Sequence, residues 1–312
     1  MIKIDNVSRY FGQNAAVEGL SLTVERGSMV TLVGTSGSGK STLLRMINRL
    51  IEPSSGAIFI DGRDTRMISG ETLRRGIGYV IQDHGLFPHW TVARNIATVP
   101  HLLNWGAARI EKRVHELLVL FGLEPEVHAR KFPHQLSGGQ QQRVGVARAL
   151  AAEPSVLLMD EPFGALDPII RAKAREDLLA LQRRLGVTIV LVTHDMEEAI
   201  ALGDHIAVMD RGRLLQYAPP AEILTRPAPG FVERLIGDSE RPFRLLSLTK
   251  VCEAAEPGEA PGPSISETAS LRDALSELIA RGAERLPVAA ADGAAPKRVA
   301  LSAILARARL AS

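Results

Sequence analysis

The chain has 312 residues, 46% hydrophobic and 23% charged, a length and composition that suit a globular protein of more than one domain. Its formal net charge of +2 is too small to imply nucleic acid as a partner, and its single cysteine, Cys252, excludes an intrachain disulfide and a cysteine metal cluster, in keeping with a reducing compartment. No run of about 18 apolar residues is present to cross a bilayer.

At the start, Met1-Ile2-Lys3-Ile4-Asp5 alternates apolar and polar residues and reads as a first strand, without the basic start and apolar core of a signal peptide. Residues 1–33 read as strands with turns at Gly12 and Gly27, ending in the buried run Val30–Val33. Gly34–Thr42 then matches G-x-x-x-x-G-K-[ST], a phosphate-binding loop between a strand and a helix whose apolar face carries Leu43, Leu44, Met46 and Ile47. Gly34, Gly37 and Gly39 allow a tight turn that aims backbone N–H groups at phosphate oxygens. The helix start adds partial positive charge. Ser36, Ser38 and Thr42 complete the loop, Lys40 brings a full charge to the outer phosphates, and Ser41 offers a hydroxyl to Mg²⁺.

Gly56–Asp61 is a further strand closed by the Asp61-Gly62 turn. Residues 91–131 read as helical, with Ile110, Val114, Leu117, Leu118 and Phe121 at helical spacing, inside an inserted helical subdomain of about 85–155. Within it Leu136-Ser137-Gly138-Gly139-Gln140 forms a second anion nest at a helix start. Two apolar strands follow, Val156–Met159 and Thr188–Val192, of the kind found in parallel α/β sheets, where sites lie beyond the strands' carboxyl ends. The first runs into Asp160-Glu161: Asp160 can hold Mg²⁺, directly or through water, and Glu161 can orient and deprotonate a water. The arginines of 171–175 and 183–184 read as solvated helix faces. Cys252–Ser266, rich in Ala, Glu, Pro, Gly and Ser, reads as linker. After it come an amphipathic helix marked by Leu271, Ala274, Leu275, Leu278 and Ile279, the Asp292-Gly293 turn, a strand near Val299 and a last helix.

Leu-Ser-Gly-Gly-Gln at 136–140 resembles the signature motif of ATP-binding cassette (ABC) ATPases, and the family's other motifs appear in order. Gln82 matches the glutamine that senses Mg²⁺ and the γ-phosphate; Ala165-Leu166-Asp167 the D-loop that contacts the opposite subunit; and His194 the switch histidine that bonds the γ-phosphate. Phe11 stands where an aromatic stacks on adenine, with Tyr10 as an alternative. The resemblance implies an α/β P-loop NTPase fold over about residues 1–236, with a RecA-like core, an antiparallel β subdomain and a helical subdomain. It implies ATP and Mg²⁺ as cofactors and Glu161, His194, Gln82 and Lys40 as catalytic residues. Ser137, Gly139 and Gln140 would close over the γ-phosphate of a second copy, which implies a homodimer.

Gly85–Pro100, Met46–Leu50, Phe163–Pro168 and Phe231–Arg234 look like the matching stretches of importer ATPases for glycine betaine, choline and related osmoprotectants. That implies a peripheral subunit on the cytoplasmic face of the inner (cell) membrane, with integral-membrane permease subunits, an extracytoplasmic solute-binding protein and no nucleic acid as partners. An importer for an amino acid or anion, or a non-transport ABC ATPase, is the alternative. Residues 237–266 would be a connector. Residues 267–312 resemble a single CBS-type module, a small α+β tail, through Leu271–Leu275 and Arg285–Val288. Its ribose-binding positions read Ala300 and Ala303, which implies a degenerate, dimer-stabilising or regulatory tail.

Overall fold

The computed structural model describes residues 2–81, 85–164, 166–289 and 295–308. The chain divides into two compact units, Met1–Tyr217 and Ala218–Ser312. Up to the boundary it lays down β1 (Ile2–Phe11), β2 (Asn14–Val24), β3 (Met29–Val33), β4 (Ser55–Ile60), β5 (Arg63–Asp64), β6 (Ile77–Val80), β7 (Val156–Asp160), β8 (Thr188–Val192), β9 (His205–Asp210) and β10 (Arg213–Ala218). These form an antiparallel sheet of order β2-β1-β4-β5 and a core sheet of order β10-β9-β3-β8-β7-β6. In the core sheet β9, β3, β8, β7 and β6 pair in parallel.

Strands buried on both faces need apolar residues at every position, and β3, β7 and β8 are buried throughout. Alternate side chains feed different cores, as the period of two requires. In β8, Ile189 and Leu191 join the cluster that includes Val144, Ala147 and Leu117, while Val190 and Val192 join Leu43, Leu44 and the antiparallel sheet. Full burial of one such side chain stabilises the fold by about 1.5–3 kcal/mol.

The register sets the site. Leu32 and Asp160 both lie opposite Val192, so the carboxyl ends of β3, β7 and β8 are level. The chain beyond them continues the ladder: Glu161 N donates to Val192 O at 3.0 Å and Thr193 N to Leu32 O at 3.0 Å. Strands β6 and β7 are adjacent, so everything between them is an insertion leaving and re-entering the same sheet edge. The helical run expected over 91–131 is broken there into Val92–Ile96, Thr98–Leu102, Ala107–Leu120 and Pro125–His128. One break follows Asn104, whose φ of 55° is incompatible with a continuing helix.

The second unit begins earlier than the expected boundary at 236: Pro220–Thr225 and Phe231–Ile236 are helices of that unit. Residues 237–266, expected as a connector, are built into it. Helix Arg241–Leu248 supplies Leu246, and Val251 and Ile265 are buried with Leu271, Leu275, Val299 and Ile304. Those apolar residues explain why a segment of linker-like composition is packed. A small antiparallel sheet of β11 (Glu256–Pro257), β12 (Arg285–Val288) and β13 (Lys297–Ala300) and helices Leu271–Arg281 and Leu301–Ala308 complete it. The Asp292-Gly293 turn lies outside the described residues.

Candidate functional site

At the level strand ends, the loop after β3 turns back over the sheet. Gly34 has φ of 152°, and a Cβ there would sit 2.0 Å from Met209 O; at Gly39, φ is 98° and a Cβ would meet Ala16 O at 2.2 Å. No other residue fits these two positions, which is why the glycines are spaced as they are. Helix Lys40–Ile47 starts at Gly39 with no acidic residue in its first turn, so its N-terminal N–H groups and dipole are left for an anion. Ser36 and Gly37 are exposed, Ser38 is buried and Thr42 is half-buried.

Lys40 is only 6% exposed. Its Nζ donates to Gly34 O and Thr35 O, each at 2.8 Å, and to Ser38 Oγ at 3.3 Å. Burial pulls its pKa below the ordinary lysine value, opposed by the charges of Glu161 and Asp160. Ser41 Oγ donates to Asp160 Oδ1 at 2.8 Å, which joins the phosphate loop to the end of β7. Burial raises the Asp160 pKa, and the Ser41 hydrogen bond and Arg45 oppose that shift. The neighbouring Glu161 has φ of 47°, a left-handed conformation that is strained for a residue with a Cβ. Its Oε2 lies 3.3 Å from Nδ1 of His194, which follows the end of β8.

Phe11 is 48% exposed, with Tyr10 beside it at 43%. Phe11 pairs with Asn14 across the β1–β2 turn, two residues from the Ala16 carbonyl that abuts Gly39. The Arg9 guanidinium stacks on its ring at 4.6 Å. Gln82 lies outside the described residues, as does Ala165.

The Ser137 turn and Asp167 are bonded within their own segments. Ser137 caps helix Gly138–Leu150: its Oγ accepts from Gln140 N at 3.3 Å while Gln140 Oε1 accepts from Ser137 N at 3.0 Å. Gly139 is buried, and a Cβ on it would press on Ile170 at 3.2 Å. Asp167 Oδ1 accepts from Ile170 N at 3.1 Å at the start of helix Pro168–Leu185.

Sequence reading missed three supports of the site. Gln142 is buried and donates to Pro162 O, fixing the turn after Glu161. Thr193 and Glu198, both buried, are hydrogen-bonded behind His194. Asp195 accepts from Glu197 N and Glu198 N as the cap of helix Met196–Leu202; an Asp after an apolar strand, with acidic residues in the next turn, is the signal that marks it.

A family model described as "ABC transporter" matches residues 17–164. The glycine betaine uptake system ATP-binding protein YehX of Escherichia coli is 54% identical over 289 residues, covering 92% of this chain and 94% of its own. The chain belongs to the ABC transporter ATP-binding proteins. It is also similar to the glycine betaine/carnitine/choline transport ATP-binding protein OpuCA of Bacillus subtilis, at 49% identity over 82% of this chain and 70% of that one. Among solved structures, the dimeric post-hydrolysis state of the ATP-binding cassette MJ0796 bound to ADP and Pi matches with a TM-score of 0.63 and 35% identity, covering 70% of this chain and 99% of that chain. The ABC ATPase fold expected from the motifs is therefore the fold of this chain, and ATP is its nucleotide. Among the described residues no helix is long and apolar enough to cross a membrane.

Proposed function

We propose that this chain is the ATP-hydrolysing subunit of an importer for glycine betaine, choline or a related quaternary-ammonium osmoprotectant. It works as a peripheral homodimer on the cytoplasmic face of the cell membrane, beneath separate permease subunits and with an extracytoplasmic solute-binding protein. The observation that carries the solute class is the likeness to the glycine betaine uptake protein, which runs through both units of the chain.

The hydrolytic reading rests on what converges at the strand ends. ATP stacks its adenine on Phe11, or on Tyr10 beside it, and lays its phosphates on residues 34–42. Lys40 then exchanges the carbonyls of Gly34 and Thr35 for phosphate oxygens. Ser41 Oγ and Asp160 Oδ1 are adjacent hard oxygen donors. Among the described residues no cluster of three His, Cys, Asp or Glu could hold a metal. That donor set fits Mg²⁺, which keeps waters and substrate phosphates as its remaining ligands. Mg²⁺ held there would supply positive charge to the phosphates.

Glu161 takes the proton of the attacking water, a role worth about 10²–10⁴ in rate. His194 steadies the γ-phosphate, and Gln82 links the site to the inserted helices. Ser137 and Gly139 of a second copy, with its Gln140 and Asp167, close the open face of the phosphate. Closure moves the inserted helices and drives the permease between access states. A cleft of about 760 Å³ along Thr91, Arg94 and His101 and helix Ala107–Leu120 is a surface on which a permease segment can seat. Residues 267–312 are read as a degenerate CBS-like tail that steadies the dimer or regulates it.

Growth of an uptake-deficient host in high salt tests the solute class. Added betaine restores growth with the wild-type chain and its permease, and not with Lys40→Ala. Equal betaine uptake with and without a functional chain rejects the osmoprotectant reading.

A further inference from the structure

Behind the exposed His194 lies a buried polar group that the hydrolytic mechanism does not use. Glu198 is 5% exposed, on the first turn of helix Met196–Leu202. Its Oε2 accepts from the Thr193 hydroxyl, and the Thr193 oxygen in turn accepts from Asp195 N at 3.0 Å. Thr193 is itself 2% exposed and is pinned to β3 through Leu32 O. The turn that carries His194 is thus held from behind by one carboxylate.

The other oxygen, Glu198 Oε1, is buried and has no hydrogen-bond partner among the described residues. A buried acceptor left unpaired is costly, so its retention calls for a reason. Arg175 and Arg171, one turn apart on helix Pro168–Leu185, both act on this carboxylate electrostatically. Arg171 has a matching donor: its Nε is buried without a partner among the described residues, while its Nη2 donates to Leu166 O at 2.8 Å. Leu166 precedes Asp167, so Arg171 holds the segment expected to meet a second copy.

We propose that Glu198 is a positioning residue that couples the His194 turn, through Thr193, to the Leu166–Asp167 segment, through Arg171. Glu198 Oε1 and Arg171 Nε are the acceptor and the donor left unpaired along this route. A small shift of helix Pro168–Leu185 when a second copy docks on Asp167 brings them together and sets His194 against the γ-phosphate. The inference rests on the ATPase reading above, and it assigns to the chain a route by which the state of the dimer contact reaches its own hydrolytic site.

The test is steady-state ATP hydrolysis by the purified full-length chain, with thermal melting of each variant to establish that it is folded. Glu198→Leu and Arg171→Leu each lower kcat at least about tenfold with the KM for ATP within about threefold of wild type. The double variant is no slower than the worse single one, as expected for residues that act as one unit. Glu198→Gln keeps an acceptor for Thr193, folds most like the wild type, and recovers only part of the lost kcat because its charge is gone. Folded Glu198 variants that turn over within twofold of wild type overturn the proposal, and so do single effects that multiply in the double variant. A wild-type chain without turnover rejects the ATPase reading itself, and the proposal with it.

Discussion

The phosphate loop and the Ser137 turn are both glycine-rich and both open a helix, yet they are held in opposite ways. At the loop a buried ammonium, Lys40, rests on the carbonyls of Gly34 and Thr35, and the backbone takes positive φ at Gly34, Gly39 and the neighbouring Glu161. Those contacts are weaker than the charge-assisted bonds a phosphate offers, so the loop is organised around an anion. At Ser137 no charge is buried. The capping box satisfies the serine and Gln140 mutually, and Ser137 and Gly138 face solvent. The remaining first-turn N–H groups have no intrahelical partner. One region is organised around an anion; the other is a helix start whose own side chains satisfy each other.

Variants sharpen the contrast. The largest effect is expected for Glu161→Gln, which lowers turnover by about 10²–10⁴ while nucleotide affinity stays near wild type; filter binding beside a phosphate-release assay separates the two. Lys40→Ala loses ATP affinity by about 100-fold, because a buried charge partner of the phosphates is removed, and equilibrium titration with a fluorescent nucleotide measures it. Ser137→Ala leaves that titration unchanged in the isolated chain and lowers kcat by about 10²–10³-fold, the scale of a lost donor at a reacting group. Tight monomeric ATP binding lost in Ser137→Ala would erase the contrast between the regions. The smallest effect belongs to Ser270, which caps helix Leu271–Arg281 in the second unit with the same reciprocal geometry to Asp273. Ser270→Ala costs about 1 kcal/mol of stability in its own unit and leaves ATP turnover unchanged; melting and phosphate release together check that the two caps differ in function and not in geometry.

The grouping of residues at the strand ends was legible because each lies at or just after the end of an apolar strand that the sequence marks plainly. Lys40, Ser41, Asp160, Glu161 and His194 needed only level strand ends to meet. What held them was less visible. Glu198 and Gln142 look like ordinary polar helix residues until burial shows otherwise. Asn95, fully buried, binds Phe87, Trp90 and Thr91 and so shapes the turn before helix Val92–Ile96; no local pattern announces a structural asparagine. The connector reading of 237–266 followed Pro, Gly and Ser and overlooked Leu246, Val251 and Ile265, whose partners lie far along the chain.

The central claim is that one copy carries half a site. Sedimentation velocity of full-length Glu161→Gln, with and without ATP, tests it most directly. The account predicts a monomer that becomes a dimer with ATP, holding one ATP per copy, and a return to monomer when Ser137→Arg is added. A Glu161→Gln chain that saturates with ATP and stays monomeric, alongside a wild type that hydrolyses as a monomer, would contradict it.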